Sequence, residues 1–154
     1  MGDFGAPIPV VVCGKAEIVG RPVVEGLKPE YDVILFCLGS KPTAAEVPYL
    51  LRGTAPPAQS SYIGSGVYSA PPVAVLMGAA WDAADVSLVK SAIEGVGLPP
   101  SAAPVVLRND TSVQTPDPPA PEYARQLIRR MRVALDKLVR GEKLEGPEEG
   151  VVWY

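Results

Sequence analysis

Four short, unbroken apolar runs constrain this chain more than anything else in it: PVVVC at 9–13, DVILFCL at 32–38, PVAVLM at 72–77 and PVVL at 104–107. Each is too short for a buried helix and rich in β-branched residues. None shows the apolar–polar alternation of a sheet with one wet face, so each suits a strand buried on both sides. Gly14, Gly39 and Gly78 stop the first three. Between the runs the spacing turns helical. Val19, Val23, Val24 and Leu27 mark a helix over 19–27, with Pro22 near its first turn and Pro29 closing it. A second helix over 42–51 has Thr43 as its N-cap and Leu50 and Leu51 facing in, and Pro48 is expected to kink or shorten it. Asp82 caps a third helix running toward Glu94, with Val86, Val89 and Ile93 inward. The fourth, over 122–140, carries the longest stripe: Tyr123, Leu127, Ile128, Met131, Leu135, Leu138 and Val139, opposite Arg125, Arg129, Arg130, Arg132, Lys137 and Arg140. Repeated strand–helix units predict an α/β, Rossmann-like three-layer fold with a short parallel sheet of about four strands, order 2-1-3-4. A single domain is expected over 1–143, with a tail at 144–154 whose apolar end, Val151-Val152-Trp153-Tyr154, docks on the domain or on a neighbour.

Composition narrows the partners. With 154 residues the chain can bury a core without metals or disulfides. An apolar share of 47% and a mean hydropathy of +0.17 are high for a small domain and point to a homo-oligomer. A net charge of −3 and a pI near 5.0 argue against a nucleic-acid partner. Pro7 and Pro9 break the apolar stretch near the start, so neither a signal peptide nor a membrane span is expected and the location read from the sequence is cytoplasmic. Cys13 and Cys37 sit inside apolar runs, without CxxC spacing, as small buried thiols of a reducing compartment. Histidine is absent, which removes His-based triads, imidazole acid–base chemistry and the commonest metal ligand together, and no metal site is expected.

In a parallel sheet of this order ligands gather beyond the carboxyl ends of the strands, where the order reverses between the first and third. Gly14 permits a tight turn there, and the helix that follows directs free N–H groups at whatever lies above it. Lys15 and Arg21 add two cations, so Gly14, Lys15, Gly20 and Arg21 form a candidate phosphate cradle, with a plain strand-to-helix turn as the alternative. The stretch VVVCGKAEIVGRPVVEGL resembles the cofactor loop of the methylenetetrahydrofolate dehydrogenase/cyclohydrolase family, in which a strand precedes GRSxxVGxP. Gly14, Val19, Gly20 and Pro22 match it, Lys15 stands for its Arg, and Ala16 replaces its Ser, removing one polar phosphate contact. That family's folate-binding domain has no counterpart here, so folate chemistry is not implied. Through LKPEYDVI, LLRG and GVVWY the whole chain also resembles small proteins of filamentous fungi to which no activity is attached.

The second run ends in Leu38-Gly39-Ser40-Lys41 without the acid that would hold a ribose 2′-hydroxyl. Ser40 and Lys41 would instead accept a 2′-phosphate, making NADP the candidate cofactor; a solvated turn is the alternative. The Gly-, Pro- and Ser-rich stretch 53–72, with Tyr62 and Tyr68, reads as a binding loop or lid. Trp81 and Asp82 read as ligand-facing groups, or as a core indole and a helix cap. The functional expectation is a small nucleotide- or NADP-binding-like domain for a phosphorylated ligand, with catalytic residues unassigned. The alternative is a non-enzymatic homo-oligomeric interaction domain that keeps the fold without a cofactor site.

Overall fold

A computed structural model describes residues 6–117 and 120–154. Within it the four runs become parallel strands: β1 (Ile8–Gly14), β2 (Tyr31–Leu38), β3 (Ala74–Met77) and β4 (Val105–Arg108). Four helices alternate with them: α1 (Glu17–Leu27), α2 (Ser40–Leu51), α3 (Ala83–Glu94) and α4 (Pro121–Val139). The sheet has a fifth member. The apolar end of the tail does not merely dock: it forms β5 (Val151–Trp153), which pairs parallel to β4 and extends the order to β2-β1-β3-β4-β5. The fold is thus the Rossmann-like α/β architecture, with one strand more than the apolar runs suggest. Three residues between Gly150 and Tyr154 are too few to announce a strand by periodicity.

The two faces of the sheet bury separate cores. Val10, Val12, Val33, Leu76 and Leu107 face α1 and α4, while Val11, Cys13, Ile34, Leu35, Val75 and Val106 face α2 and α3. Pro48 does not shorten α2, which runs through it to Leu51. A proline costs a helix interior one N–H donor, and here the burial of Val47, Leu50 and Leu51 on the sheet offsets that loss. Asp82 caps α3 as expected and does so reciprocally, its carboxylate accepting from the Asp85 amide while Asp85 accepts from the Asp82 amide.

β2 contains an irregularity that its continuous apolar sequence conceals. Val10 of β1 pairs with Val33, but Val11 pairs with Leu35, so Ile34 is an extra residue in the register. Such a bulge reverses the alternation beyond it. Tyr31 and Val33 therefore share the α1/α4 side with Phe36, while Ile34, Leu35 and Cys37 lie on the other. The Ile34 carbonyl accepts from the Gly66 amide at 3.1 Å. Residues 60–66 of the 53–72 stretch thereby act as an edge cover for β2. The Phe36 amide donates to Ile63 O (2.9 Å), the Ser65 amide to Val33 O (3.0 Å) and the Leu38 amide to Ser60 Oγ (2.9 Å), which occupies the open edge of β2. Gly64 makes this fit possible: its φ of +125° is foreign to other residues, and a Cβ there would lie 2.7 Å from Ile34 O.

On α4 the buried stripe consists of Leu127, Met131, Ala134 and Leu135, flanked by half-buried Tyr123, Ile128 and Leu138, whereas Val139 is 50% exposed. Leu135→Asp is expected to cost several kcal/mol, enough to unfold most of the population. Val139→Asp should stay within about 0.5 kcal/mol of the parent. Urea unfolding of the two variants checks the assignment.

Candidate functional site

At the carboxyl edge of the sheet, where α1 leaves β1 for one side and β3 lies on the other, the structure opens a cleft of about 640 Å³ between α1 and α4. This is the crevice in which doubly wound sheets hold ligands. Its walls come chiefly from Gly14, Lys15, Ala16, Ile18 and Val19 after β1, Phe36 of β2, Gly78 to Trp81 after β3, and Tyr123, Leu127 and Met131 on α4. The lining is almost wholly apolar, and Lys15 is its one charged side chain. Lys15 is exposed and makes no ion pair among the described residues. α1 begins beside it at Ala16 with no side-chain cap, and the Val19 amide turns back to Ala16 O (3.2 Å). The earlier amides of the first turn have no helical acceptor, and Lys15 is the charged group at that end of an otherwise greasy slot, with Glu17 in the same turn outside the lining.

Trp81 forms the opposite wall. Its indole N–H donates to Cys13 O at 3.2 Å, and the Gly78 amide donates to the same oxygen at 3.0 Å. The ring is therefore held at the end of β3 with part of its surface in the cleft, while its neighbour Asp82 is the helix cap. Asp82 is the helix cap of the second reading, and Trp81 both lines the cleft and packs half-buried against the core on the α2/α3 side. Tyr123 is half-buried, and burial pushes its phenol up, so its ring stands neutral on the cleft wall.

The six sequence-predicted site residues fall in four places. Gly14 and Lys15 line the cleft. Gly20 lies beneath it, buried against the Phe36 ring: a Cβ on Gly20 would sit 2.9 Å from that ring, and one on Gly14 would sit 2.5 Å from it. The spacing of these two glycines thus has a steric cause inside the protein, the accommodation of one aromatic ring. Arg21 points away, into a shallow polar depression shared with Glu25, Lys28, Asp32 and Tyr62. Ser40 and Lys41 open α2 on the other face of the sheet. The buried Ser40 hydroxyl donates to Asp85 Oδ1 at 2.6 Å, and this bond, with the Asp82 amide, holds the Asp85 carboxyl below the usual range. Asp85 thus stands beside Ser40, while Lys41 is exposed.

Ile18, Phe36, Tyr123, Leu127 and Met131 are among the cleft residues that the sequence did not assign to a site. On α4 they belong to a stripe indistinguishable from ordinary core. The available signal was topological: a helix following the fourth strand and packing on the α1 side hangs its first turn over the carboxyl edge.

Cys13 and Cys37 are Cα partners in β1 and β2, free and buried. Burial pushes the Cys13 thiol up to about 11, and Cys37, which donates to Glu46 Oε1 at 3.6 Å, is raised for the same reason. Neither is a thiolate at neutral pH. Among the described residues no cluster of His, Cys, Asp or Glu is arranged to hold a metal ion, and no helix is long and apolar enough to cross a membrane.

Over 149 residues the chain is 32% identical to "Kojic acid related protein 6" of Aspergillus oryzae (strain ATCC 42149 / RIB 40), a match that covers 96% of this chain and 87% of that protein. No family model matches the chain. No solved structure matches it either.

The raised thiols lead to a direct test. In native protein at pH 8, Cys13 and Cys37 should resist an aromatic disulfide reagent for far longer than a free thiol does, and both should react at once in denaturant. Rapid native labelling of either would contradict its burial as a neutral thiol.

Proposed function

This chain belongs to the family of the Kojic acid related protein 6 of Aspergillus oryzae, and from that premise we propose that it is a Rossmann-like small-molecule-binding domain for a ligand of the nucleotide class. The observation that carries the proposal is the cleft at the switch point, an apolar slot whose polar end is Lys15 and the uncapped start of α1. A flat body would lie among Ile18, Trp81 and Tyr123, and an anionic group would face Lys15, where the amides of the helix start favour negative charge. Wall area of this kind favours a ring over an extended polar chain.

Of the NADP expectation, the half that this chemistry supports is the phosphate and ring near Lys15. A 2′-phosphate at Ser40 and Lys41 would have to contend with Asp85. The cleft offers binding groups rather than an acid–base pair, so any reaction would draw its chemistry from the bound molecule. The interaction-domain alternative retains one observation in its favour, the exposure of Val133 and Val139 on α4. The apolar tail end, Val151–Trp153, is paired within the chain's own sheet.

Calorimetric titration of AMP, ATP, NADPH and kojic acid tests the proposal, the last included because the relative's name carries it. At fixed moderate salt a phosphorylated member should bind, and Lys15→Ala should weaken it by about ten- to a hundredfold through loss of one charge-assisted contact. Absence of binding at millimolar concentration, or equal binding by the variant, would remove the nucleotide reading. Sedimentation of the same samples tests the alternative.

A further inference from the structure

The arginine-rich side of α4 is not uniformly a solvated face. Arg125, Arg132 and Arg140 are neutralised by Glu122, Glu30 and Glu142. Arg129, Arg130 and Lys137 have no ion-pair partner among the described residues, and these three line one groove of about 270 Å³ between α4 and the β5 edge. Three cations lining one concavity, none with an ion-pair partner among the described residues, give this side of α4 a sign opposite to the chain's net charge of −3, with Asp110 the acid that Arg130 also attracts.

Arg130 shows how the groove is prepared. Its Nη2 donates to the main-chain oxygens of Asp110 (2.8 Å) and Tyr154 (2.7 Å), which fixes the guanidinium in place. Its Nη1 is buried and finds no hydrogen-bond partner among the described residues. That nitrogen has almost no accessible surface, so a molecule in the groove meets the charge of the fixed guanidinium and not this donor. Around these cations the groove is apolar and aromatic: Val133, Leu144 and the Trp153 ring, which Arg108 covers at 5.2 Å from the ring centroid.

We propose that this groove is a second binding site, for a compact organic anion: one flat ring bearing a phosphoryl or carboxylate group. The anionic group sits among Arg129, Arg130 and Lys137, and the ring lies against Trp153 and Val133. The volume is below that of ordinary drug-sized sites, which excludes a dinucleotide and suits a single ring. The groove shares no lining residue with the cleft, so the two sites stand or fall separately.

The two tryptophans allow each site to be watched alone, because Trp81 lines the cleft and Trp153 the groove. In Trp81→Phe protein, phenyl phosphate and benzoate should each alter Trp153 emission in a saturable way, and the stronger of the two identifies the preferred anionic group. Inorganic phosphate and phenol should bind at least about tenfold more weakly, since each supplies only half of the contacts. Arg129→Gln with Lys137→Gln, both away from the core, should weaken the preferred ligand by about tenfold or more. No saturable change of Trp153 emission at millimolar ligand, unchanged affinity in the double variant, or equal affinity for inorganic phosphate would overturn the proposal. Trp153→Phe protein, which reports from Trp81, reads the cleft under identical conditions and keeps failure of one site distinct from failure of the other.

Discussion

The Phe36 ring holds the functional end of this molecule together. It projects from β2 toward α1 and fills the space that Gly14 and Gly20 leave open. Three elements meet on that one ring: the end of β1, the first turns of α1 and the middle of β2. The distance from strand to helix at this turn is therefore set by an aromatic side chain rather than by a ligand. Once the turn is set, the start of α1 and Lys15 occupy the rim of the cleft, and Phe36 becomes part of its lining.

Phe36 faces α1 only because of the extra residue Ile34. With regular alternation from Val33, residue 36 would face α2 and α3. The bulge needs its own support, and the 53–72 stretch provides it through the Gly66 amide on Ile34 O and the hydrogen bonds to Val33, Phe36 and Leu38 along the β2 edge. A long Gly/Ser-rich connection, of the kind that often closes over ligands, here supports the site from behind. At the opposite edge, β5 and the segment before it cover β4, with the Trp153 amide donating to Glu145 O at 2.8 Å. The Tyr154 hydroxyl reaches Met77 O at 2.8 Å and ties the tail to the end of β3.

The architecture was legible because continuous β-branched runs and helical spacing are strong, local signals: all four runs and all four helices appear within a few residues of their expected limits. The same continuity hid the bulge, since a strand buried on both sides has no polar residues to record a change of face. β5 escaped because its strand character depends on a partner, β4, distant in sequence. At the site, Gly14 and Lys15 were legible from their place after β1. Gly20, Arg21, Ser40 and Lys41 were grouped with them by motif, and the fold separates them: Gly20 answers to Phe36, Arg21 lies on another surface, and Ser40 is committed to Asp85. A motif records spacing along the chain, whereas these assignments depend on the direction in which each side chain leaves its element.

The dependence of the glycine turn on Phe36 is measurable as a double-mutant cycle of unfolding free energies. Gly20→Ala adds a methyl group where the ring stands and should destabilise the parent by about 1–3 kcal/mol. In a Phe36→Val background, where the ring atoms near Gly20 are gone, the same substitution should be neutral or should stabilise by roughly 0.5–1 kcal/mol, the ordinary advantage of alanine over glycine in a helix. That change of sign is the predicted result. An equal effect of Gly20→Ala in both backgrounds would contradict the account, because the glycine would then owe nothing to the ring it is said to accommodate.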